Sequence, residues 1–321
     1  MSQKPKITLT RRFPEAVIER AEQNYDAAVN RDDTAWDGDE LIRRAAESDG
    51  LLISSWDKCT AEVIGRLPDR VKILASFSVG YEHVDLEAAK ARGLIITNTP
   101  DVLTDATADT ALLLLLAASR RAREGMAMVV EDRWPRWTPT QLLGVQAGGH
   151  RLGILGMGRI GRALAARGRA LGMEIHYHNR SRLAADLEQG ATYHASAEDL
   201  LRVSDFLSIH CELTAETEKL LNAERIALLP EGAIVVNTAR GGIVDDDALI
   251  AALETGRVFA AGLDVFNGEP NVDPRYRGLE NAFVLPHIGS ATVDTRDAMG
   301  FRALDNLDAH FRGEDPPDRL T

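Results

Sequence analysis

Short apolar runs alternate with helical stretches along most of the chain. Ile7–Leu9, Gly50–Ile53, Val71–Ala75 and Leu94–Thr97 have the length and aliphatic character of buried strands. Between them, Asp39–Glu47, Ala61–Leu67 and Leu86–Arg92 place apolar residues three and four apart, which predicts helices. The alternation restarts with strands at Leu152–Leu155, Glu174–His178, Phe206–Ile209, Ala233–Val236 and Phe259–Leu263. Strands separated by helices form βαβ units, whose parallel sheets are covered on both faces. Two separate series predict an α/β protein of two doubly wound parallel-sheet domains. Thr104–Glu124, which holds the leucine run, predicts one long buried helix joining them, because it is apolar around most of its circumference. Trp134–His150, with two prolines and three glycines, breaks the pattern and predicts a loop or arm. Ala291–Arg312 is helical again, and Pro316-Pro317 ends regular structure.

Composition narrows the class. A chain of 321 residues suggests two domains, each with its own core. The charge balance of 37 Lys+Arg against 49 Asp+Glu gives −12 with no basic block, which argues against nucleic acid or a membrane surface as partner. Two cysteines, Cys59 and Cys211, make no disulfide framework and point to a reducing compartment. The N-terminus lacks an apolar signal region, and Ala111–Ala118 is too short to span a bilayer, so the expected location is the cytoplasm. No metal is expected.

Candidate chemistry begins at Leu155, where a strand runs into Gly156-Met157-Gly158-Arg159-Ile160-Gly161 and then into a helix. Three glycines at this spacing are a weak signal alone; between a strand and a helix they read as a dinucleotide-binding turn. Gly156 permits the tight turn, Gly158 lets backbone approach a pyrophosphate, and Gly161 lets the helix pack close to the strand. The end of the following strand sharpens this reading. An NAD site places a carboxylate there for the ribose hydroxyls, whereas this chain has His178-Asn179-Arg180-Ser181-Arg182. Asn179 removes a charge that would repel a 2′-phosphate. Arg180, helped by Ser181 and Arg182, offers donors to it. NADPH is therefore expected over NADH, with NAD use still open.

Three later segments each end a strand with one reactive side chain. Arg240 follows Val235-Val236-Asn237-Thr238-Ala239, Glu269 follows Gly262-Leu263-Asp264-Val265-Phe266, and His287 follows Val284-Leu285-Pro286. In open α/β sheets, ligands bind beyond the carboxyl ends of strands, so the three are expected to converge. Reducing a 2-oxo acid needs a fixed cation for the carboxylate, an acid for the incipient alkoxide, and a partner that keeps that acid protonated. Arg240, His287 and Glu269 match those needs. The other histidines lack this setting and are expected to be structural.

The segments Asn237–Asp245, Gly262–Phe266, Pro286–Thr292, Ser78–Asp85 and Thr107–Ala111 together resemble the signatures of D-isomer-specific 2-hydroxyacid dehydrogenases, in order and through nearly the whole chain. The resemblance implies a flavodoxin-like substrate domain, residues 1–102 plus 291–321, around a Rossmann cofactor domain, 103–290, with the active site in the interdomain cleft. It implies that Arg240 binds substrate, that His287 is the acid/base and that Glu269 is its partner. It further implies that the amides of Val79 and Gly80 hold the substrate carboxylate as an anion nest. Thr107, Thr238 and Asp264 match the nicotinamide end and Arg159 and Ile160 the pyrophosphate, with Gly289 and Cys211 as further cofactor-binding positions.

Trp134–Trp137 before Leu143-Gly144, with the Asn-Arg-Ser-Arg run, is most similar to glyoxylate/hydroxypyruvate reductases. On that resemblance the chain forms a homodimer through the cofactor domain, and Trp137 reaches a neighbouring subunit's pocket. Glu212 stands where the family usually has proline. Trp56 is read either as pocket-lining or as a packed surface aromatic. The expected function is reduction of glyoxylate, hydroxypyruvate or another small 2-oxo acid to a D-2-hydroxy acid. A dinucleotide-sensing regulator on the same fold, and a relative acting on a larger 2-oxo acid, are the alternatives; turnover at enzyme-like rates separates the first of these.

Overall fold

The computed structural model describes residues 4–321, which fall into two compact units. One runs through Leu103 and resumes at Ser290–Thr321; the other is Thr104–Gly289.

The first unit contains β1 (Lys6–Leu9), α1 (Glu15–Asn24), β2 (Asp26–Val29), α2 (Gly38–Arg44), β3 (Gly50–Ser54), α3 (Ala61–Arg66), β4 (Ile73–Phe77), α4 (Leu86–Arg92), β5 (Ile95–Thr97) and the C-terminal helix Val293–Phe311. Its five parallel strands run β2-β1-β3-β4-β5, the flavodoxin-like order. Neighbouring residues point to opposite faces, as the pleat requires. Leu52, Ile73 and Ala75 pack under the C-terminal helix through Met299, Leu304 and Leu307, while Leu51, Ile53 and Leu74 pack with Ile64 and Ala89 on the other side.

The apolar pattern leaves α1 and β2 unassigned. β2 is a short edge strand, Asp-Ala-Ala-Val, with alternating exposure and no fully buried side chain, so it carries little hydrophobic signal. β4 begins two residues later than the apolar run, because the amide of Val71 bonds the Pro68 carbonyl in a turn before the ladder starts. At the far edge, the C-terminal tail adds to β5. The Leu320 amide bonds the Ile96 carbonyl at 2.8 Å, the Ile96 amide bonds Thr321 Oγ1 at 3.0 Å, and Arg319 bridges Thr97 antiparallel.

The second unit holds α5 (Thr104–Ser119), α6 (Ala122–Val130), β6 (Arg151–Leu155), α7 (Arg159–Ala170), β7 (Glu174–His178), α8 (Ala185–Glu188), β8 (Thr192–Tyr193), α9 (Ala197–Val203), β9 (Phe206–Ile209), α10 (Ala223–Ile226), β10 (Ala233–Asn237), α11 (Asp246–Glu254), β11 (Val258–Leu263), α12 (Arg275–Gly278) and β12 (Ala282–Val284). Seven parallel strands run β12-β11-β10-β9-β6-β7-β8. Counted from β6, that is the 3-2-1-4-5-6 order of dinucleotide-binding sheets with one strand added. The order reverses between β6 and β9, so loops leaving those strands diverge and open a crevice at their carboxyl ends.

One expectation is corrected here. The single helix predicted over Thr104–Glu124 is two, α5 and α6, broken at Arg121, which adopts a left-handed φ of 53°. The carbonyl of Ser119 accepts the amide of Val145 at 2.8 Å instead of continuing the helical ladder. Gly144 lies against it so closely that a Cβ would collide with that carbonyl. The arm thus terminates α5, and no residue of α6 is buried in this chain.

Candidate active site

Gly156 turns the chain sharply off β6 with φ +97°. A Cβ there would stand 2.5 Å from the Cys211 amide nitrogen and 2.7 Å from the His210 carbonyl carbon, so no other residue fits. The Gly156 amide bonds the His178 carbonyl at 3.0 Å, which fixes the turn between the ends of β7 and β9. Gly158 caps α7 without a side chain, and no acidic residue stands in the first turn. The helix N-terminus therefore directs its partial positive charge past Arg159 and Ile160, and Gly161 is buried behind them. These features fit the pyrophosphate of a dinucleotide.

At the end of β7, Asn179 Oδ1 accepts the Met157 amide at 2.6 Å. An amide N–H only donates, so the orientation of Asn179 is fixed and its NH2 faces away from the glycine turn. Arg180 and Ser181 beside it are exposed. Arg182 corrects an expectation. Its guanidinium reaches Glu188 at 2.8 and 3.1 Å and lies 5.9 Å from the Tyr193 ring centroid, while Tyr177 donates to the same carboxylate at 2.5 Å. Glu188 is only 6% exposed, and a buried carboxylate stripped of its cation is costly. Arg182 is thus committed to the fold, which leaves Arg180, Ser181 and Asn179 of the groups expected at the 2′ position.

Beyond β9 stands a group that pattern reading left as structural. His210 Nε2 lies 2.8 Å from Ser208 Oγ and Nδ1 lies 3.5 Å from Thr238 Oγ1. Burial pushes its pKa down to about 4, so the ring is neutral at ordinary pH. Burial likewise pushes the Cys211 thiol up to about 11, so it stays protonated at ordinary pH and is no nucleophile. Glu212 is exposed; its backbone carbonyl accepts the Thr217 hydroxyl at 2.6 Å.

The reactive groups come together beyond β10, β11 and β12. Asn237 shapes the first loop: its Nδ2 donates to the Arg240 carbonyl at 2.9 Å and its Oδ1 accepts the Ala239 amide at 2.9 Å. Gly241 then packs directly on the Phe266–Asn267 peptide, leaving no space for a Cβ, which brings the Arg240 segment against the loop carrying Glu269. Glu269 Oε1 accepts the Phe266 amide at 2.7 Å, and Oε2 accepts His287 Nδ1 at 2.7 Å. Burial alone would raise the Glu269 carboxyl, but the His287 bond, the Phe266 amide and the charge of Arg240 outweigh it and hold it below the usual glutamate range. With Nδ1 committed to a carboxylate, Nε2 is the free end of the imidazole.

Asp264 fixes the loop that carries this ring. Its carboxylate accepts the amides of Ile288 and Gly289, both at 2.7 Å, while the residue is 1% exposed. Burial raises its carboxyl against those two donors. His287 itself has a φ of 54°, a left-handed conformation unusual outside glycine, and the Asp264 clamp on the next two residues maintains it. A Cβ on Gly289 would lie 3.1 Å from Asp264 Oδ2 and 3.5 Å from Thr107 Cγ2, so α5 closes against the same loop. Thr107, Thr238, Asp264, Gly289, Arg240, Glu269 and His287 all belong to the second unit. Val79, Gly80 and Trp56 belong to the first, where Trp56 is half exposed. Trp137 lies on the arm, 74% exposed.

This fold and this Arg–Glu–His arrangement define an oxidoreductase of the D-isomer-specific 2-hydroxyacid dehydrogenase family, to which the chain belongs. The family's NAD-binding domain matches residues 112–289. The chain is 45% identical over 314 residues to a glycerate dehydrogenase of Hyphomicrobium methylovorum, covering 97% of this chain and 98% of that one. It is 42% identical over 319 residues to a glyoxylate reductase of Thermococcus litoralis, covering 98% and 96%. Among solved structures, an NADPH-dependent glyoxylate/hydroxypyruvate reductase from Sinorhizobium meliloti, in complex with NADP and malonate, superimposes with a TM-score of 0.89 at 34% identity, covering 99% and 97% of the two chains. Among the described residues, no helix is long and apolar enough to cross a membrane.

Proposed function

We propose that this protein reduces small 2-oxo acids, glyoxylate and hydroxypyruvate first among them, to D-2-hydroxy acids with NADPH as the preferred cofactor. The observation that carries the reading is the His287 Nδ1–Glu269 pair beside Arg240 on a loop clamped by Asp264. When bound, the dihydronicotinamide supplies a hydride. Arg240 is the cation for the substrate carboxylate in the second unit; in the first unit, the family resemblance assigns the amides of Val79 and Gly80 as a carboxylate nest. His287 Nε2 passes its proton to the carbonyl oxygen as that oxygen becomes an alkoxide. Glu269 holds the ring with Nε2 outward and offsets its positive charge, and Thr107, Thr238 and Gly289 border the nicotinamide.

NADPH preference rests on Asn179, Arg180 and Ser181, where an NAD site has a carboxylate. The relatives named glyoxylate reductase, and the S. meliloti reductase with NADP bound, support the substrate class and the cofactor. A homodimer through the second unit is supported by α6 and the arm, where Met126, Val129, Val130, Trp134, Trp137 and Leu143 are all at least half exposed. A C2 pairing that buries this apolar surface gives α6 the core it lacks in a single chain.

The decisive experiment is a panel of 2-oxo acids of increasing size assayed with NADPH and with NADH, for the native protein and for His287→Ala. The variant should lose about 10²–10⁴-fold in kcat with cofactor affinity nearly unchanged. Near-normal kcat would refute the role of His287, and absence of turnover with every acid would refute the reading as a whole.

A further inference from the structure

The turn after β4 carries a network that its sequence motif does not reveal. In the first unit, the Ser78 carbonyl accepts the Thr99 amide at 2.9 Å, and the Val79 carbonyl accepts Asn98 Nδ2 at 2.8 Å. Successive carbonyls of an extended strand point to opposite sides; here both turn toward one neighbouring segment. In a trans peptide the N–H opposes the carbonyl of the same unit, so the N–H groups of Val79 and Gly80 both face the other way. That is the geometry of an anion nest. Each carbonyl hydrogen bond also polarises its own peptide and strengthens the N–H at its far end as a donor. Asn98 and Thr99 therefore fix the direction of the two amides and increase their donor strength.

Asn98 is itself held from the C-terminal end of the chain. Its amide bonds the Asp318 carbonyl at 3.3 Å, and its carbonyl accepts Asn306 Nδ2 at 3.4 Å. Asn306, fully buried, also exchanges hydrogen bonds with Asp318: Nδ2 to Oδ2 at 2.9 Å, and the Asp318 amide to Oδ1 at 3.0 Å. Arg302 grips the same carboxylate through two bonds of 2.6 and 2.7 Å. Asp318 and Asn306 thus both hold one asparagine, and Arg302 holds Asp318 in place behind them.

We propose that Asn98 is a positioning residue for the substrate carboxylate, and that Asp318 and Asn306 set substrate affinity by holding it. The proposal rests on the reading of Val79 and Gly80 as the carboxylate nest, and the experiment separates the two. The NADPH-loaded enzyme, labelled with 15N at valine and glycine, is titrated with oxamate, an unreactive 2-oxo acid analogue. The Val79 and Gly80 amide resonances should shift on binding. Asn98→Ala should raise the oxamate Kd and the oxo-acid KM about tenfold, with kcat within about threefold and the cofactor Kd unchanged. Asp318→Asn, which keeps shape but loses the charge facing Arg302, should show the same split at about threefold, and it serves where Asn98→Ala fails to fold. If the native resonances shift but neither variant changes oxamate affinity, or if kcat and cofactor affinity fall together with it, the positioning role is overturned while the nest stands. If the native resonances do not move, the nest reading is wrong and the positioning role falls with it.

Discussion

The turn after β6 and the turn after β4 each leave the carboxyl end of a strand in a doubly wound sheet, and both are read as anion sites, yet they are held in different ways. Gly156 is fixed by exclusion: backbone of Cys211 and His210 occupies the space any side chain would need. The Val79–Gly80 turn is fixed by attachment. Ser78 Oγ donates to the Gly80 carbonyl at 2.6 Å, and Ser76 Oγ lies 2.8 Å from Ser78 and 2.9 Å from His83 Nε2. Because the Ser78 proton is spent on Gly80, Ser76 donates to Ser78, and His83 Nε2–H donates to Ser76. The relay runs in one direction and adds to the grip from Asn98 and Thr99. A steric turn tolerates no added atom; a tethered turn is expected to weaken one bond at a time.

The largest effect should come from the steric turn. Gly156→Ala places a methyl against backbone that has no rotamer by which to retreat, and it does so at a left-handed φ. NADPH affinity, read by fluorescence titration, should fall at least about a hundredfold, an energy of about 2.7 kcal/mol or more. Ser78→Ala, which removes one tether of the other turn, should raise the oxo-acid KM only a few-fold, in keeping with about 1 kcal/mol for one neutral hydrogen bond. Similar losses at the two positions would erase the distinction.

The same difference decides what was legible in the sequence. An excluded side chain leaves a glycine, so the turn at Gly156 and the close approach at Gly241 are marked in the residues themselves. Arg240, Glu269 and His287 were legible for a related reason, since each follows a short apolar run that ends a strand. Tethers are not legible in that way. The bond from Asn98 to Val79 spans 19 residues and that from Asn306 to Asn98 spans 208, and nothing local distinguishes those asparagines from surface ones. Arg182 was misread because its partner Glu188 lies in a short helix one turn on, where burial, invisible in sequence, claims the guanidinium. The break at Arg121 was missed because the arm that causes it lies more than twenty residues downstream.

Cofactor choice tests the rim of the steric turn. Asn179 binds Met157 through its oxygen, a bond an aspartate would also make, so Asn179→Asp with Arg180→Ala should leave the turn intact. A charge-assisted hydrogen bond is worth about 1.5–3 kcal/mol, which sets the native preference for NADPH at about tenfold or more in kcat/KM. The double variant should reverse it without changing the oxo-acid profile, and added salt should weaken the native preference because the rim is exposed. Equal use of both cofactors by the native protein at low salt would remove Arg180 from the site.

The smallest effect concerns the histidine behind the glycine turn. His210 directly adjoins Cys211 at the glycine turn, and its folded pKa of about 4 lies below the ordinary histidine value of 6.5. Between those values the unfolded chain takes up a proton that the folded chain refuses, so stability falls as pH falls, by at most about 1.4 kcal/mol per pH unit. The carboxylates held low in the fold, Glu269 among them, also lose their stabilisation in acid, but mainly below the ordinary glutamate range. The window from pH 6.5 to 5 therefore separates the two contributions. His210→Asn keeps a polar group for Ser208 and removes the titration. Whatever its Tm at pH 8, its decline across that window should be shallower than that of the native protein by a few degrees. Parallel Tm curves from pH 8 to 5 would mean that His210 takes up its proton in the folded state as readily as in the unfolded one.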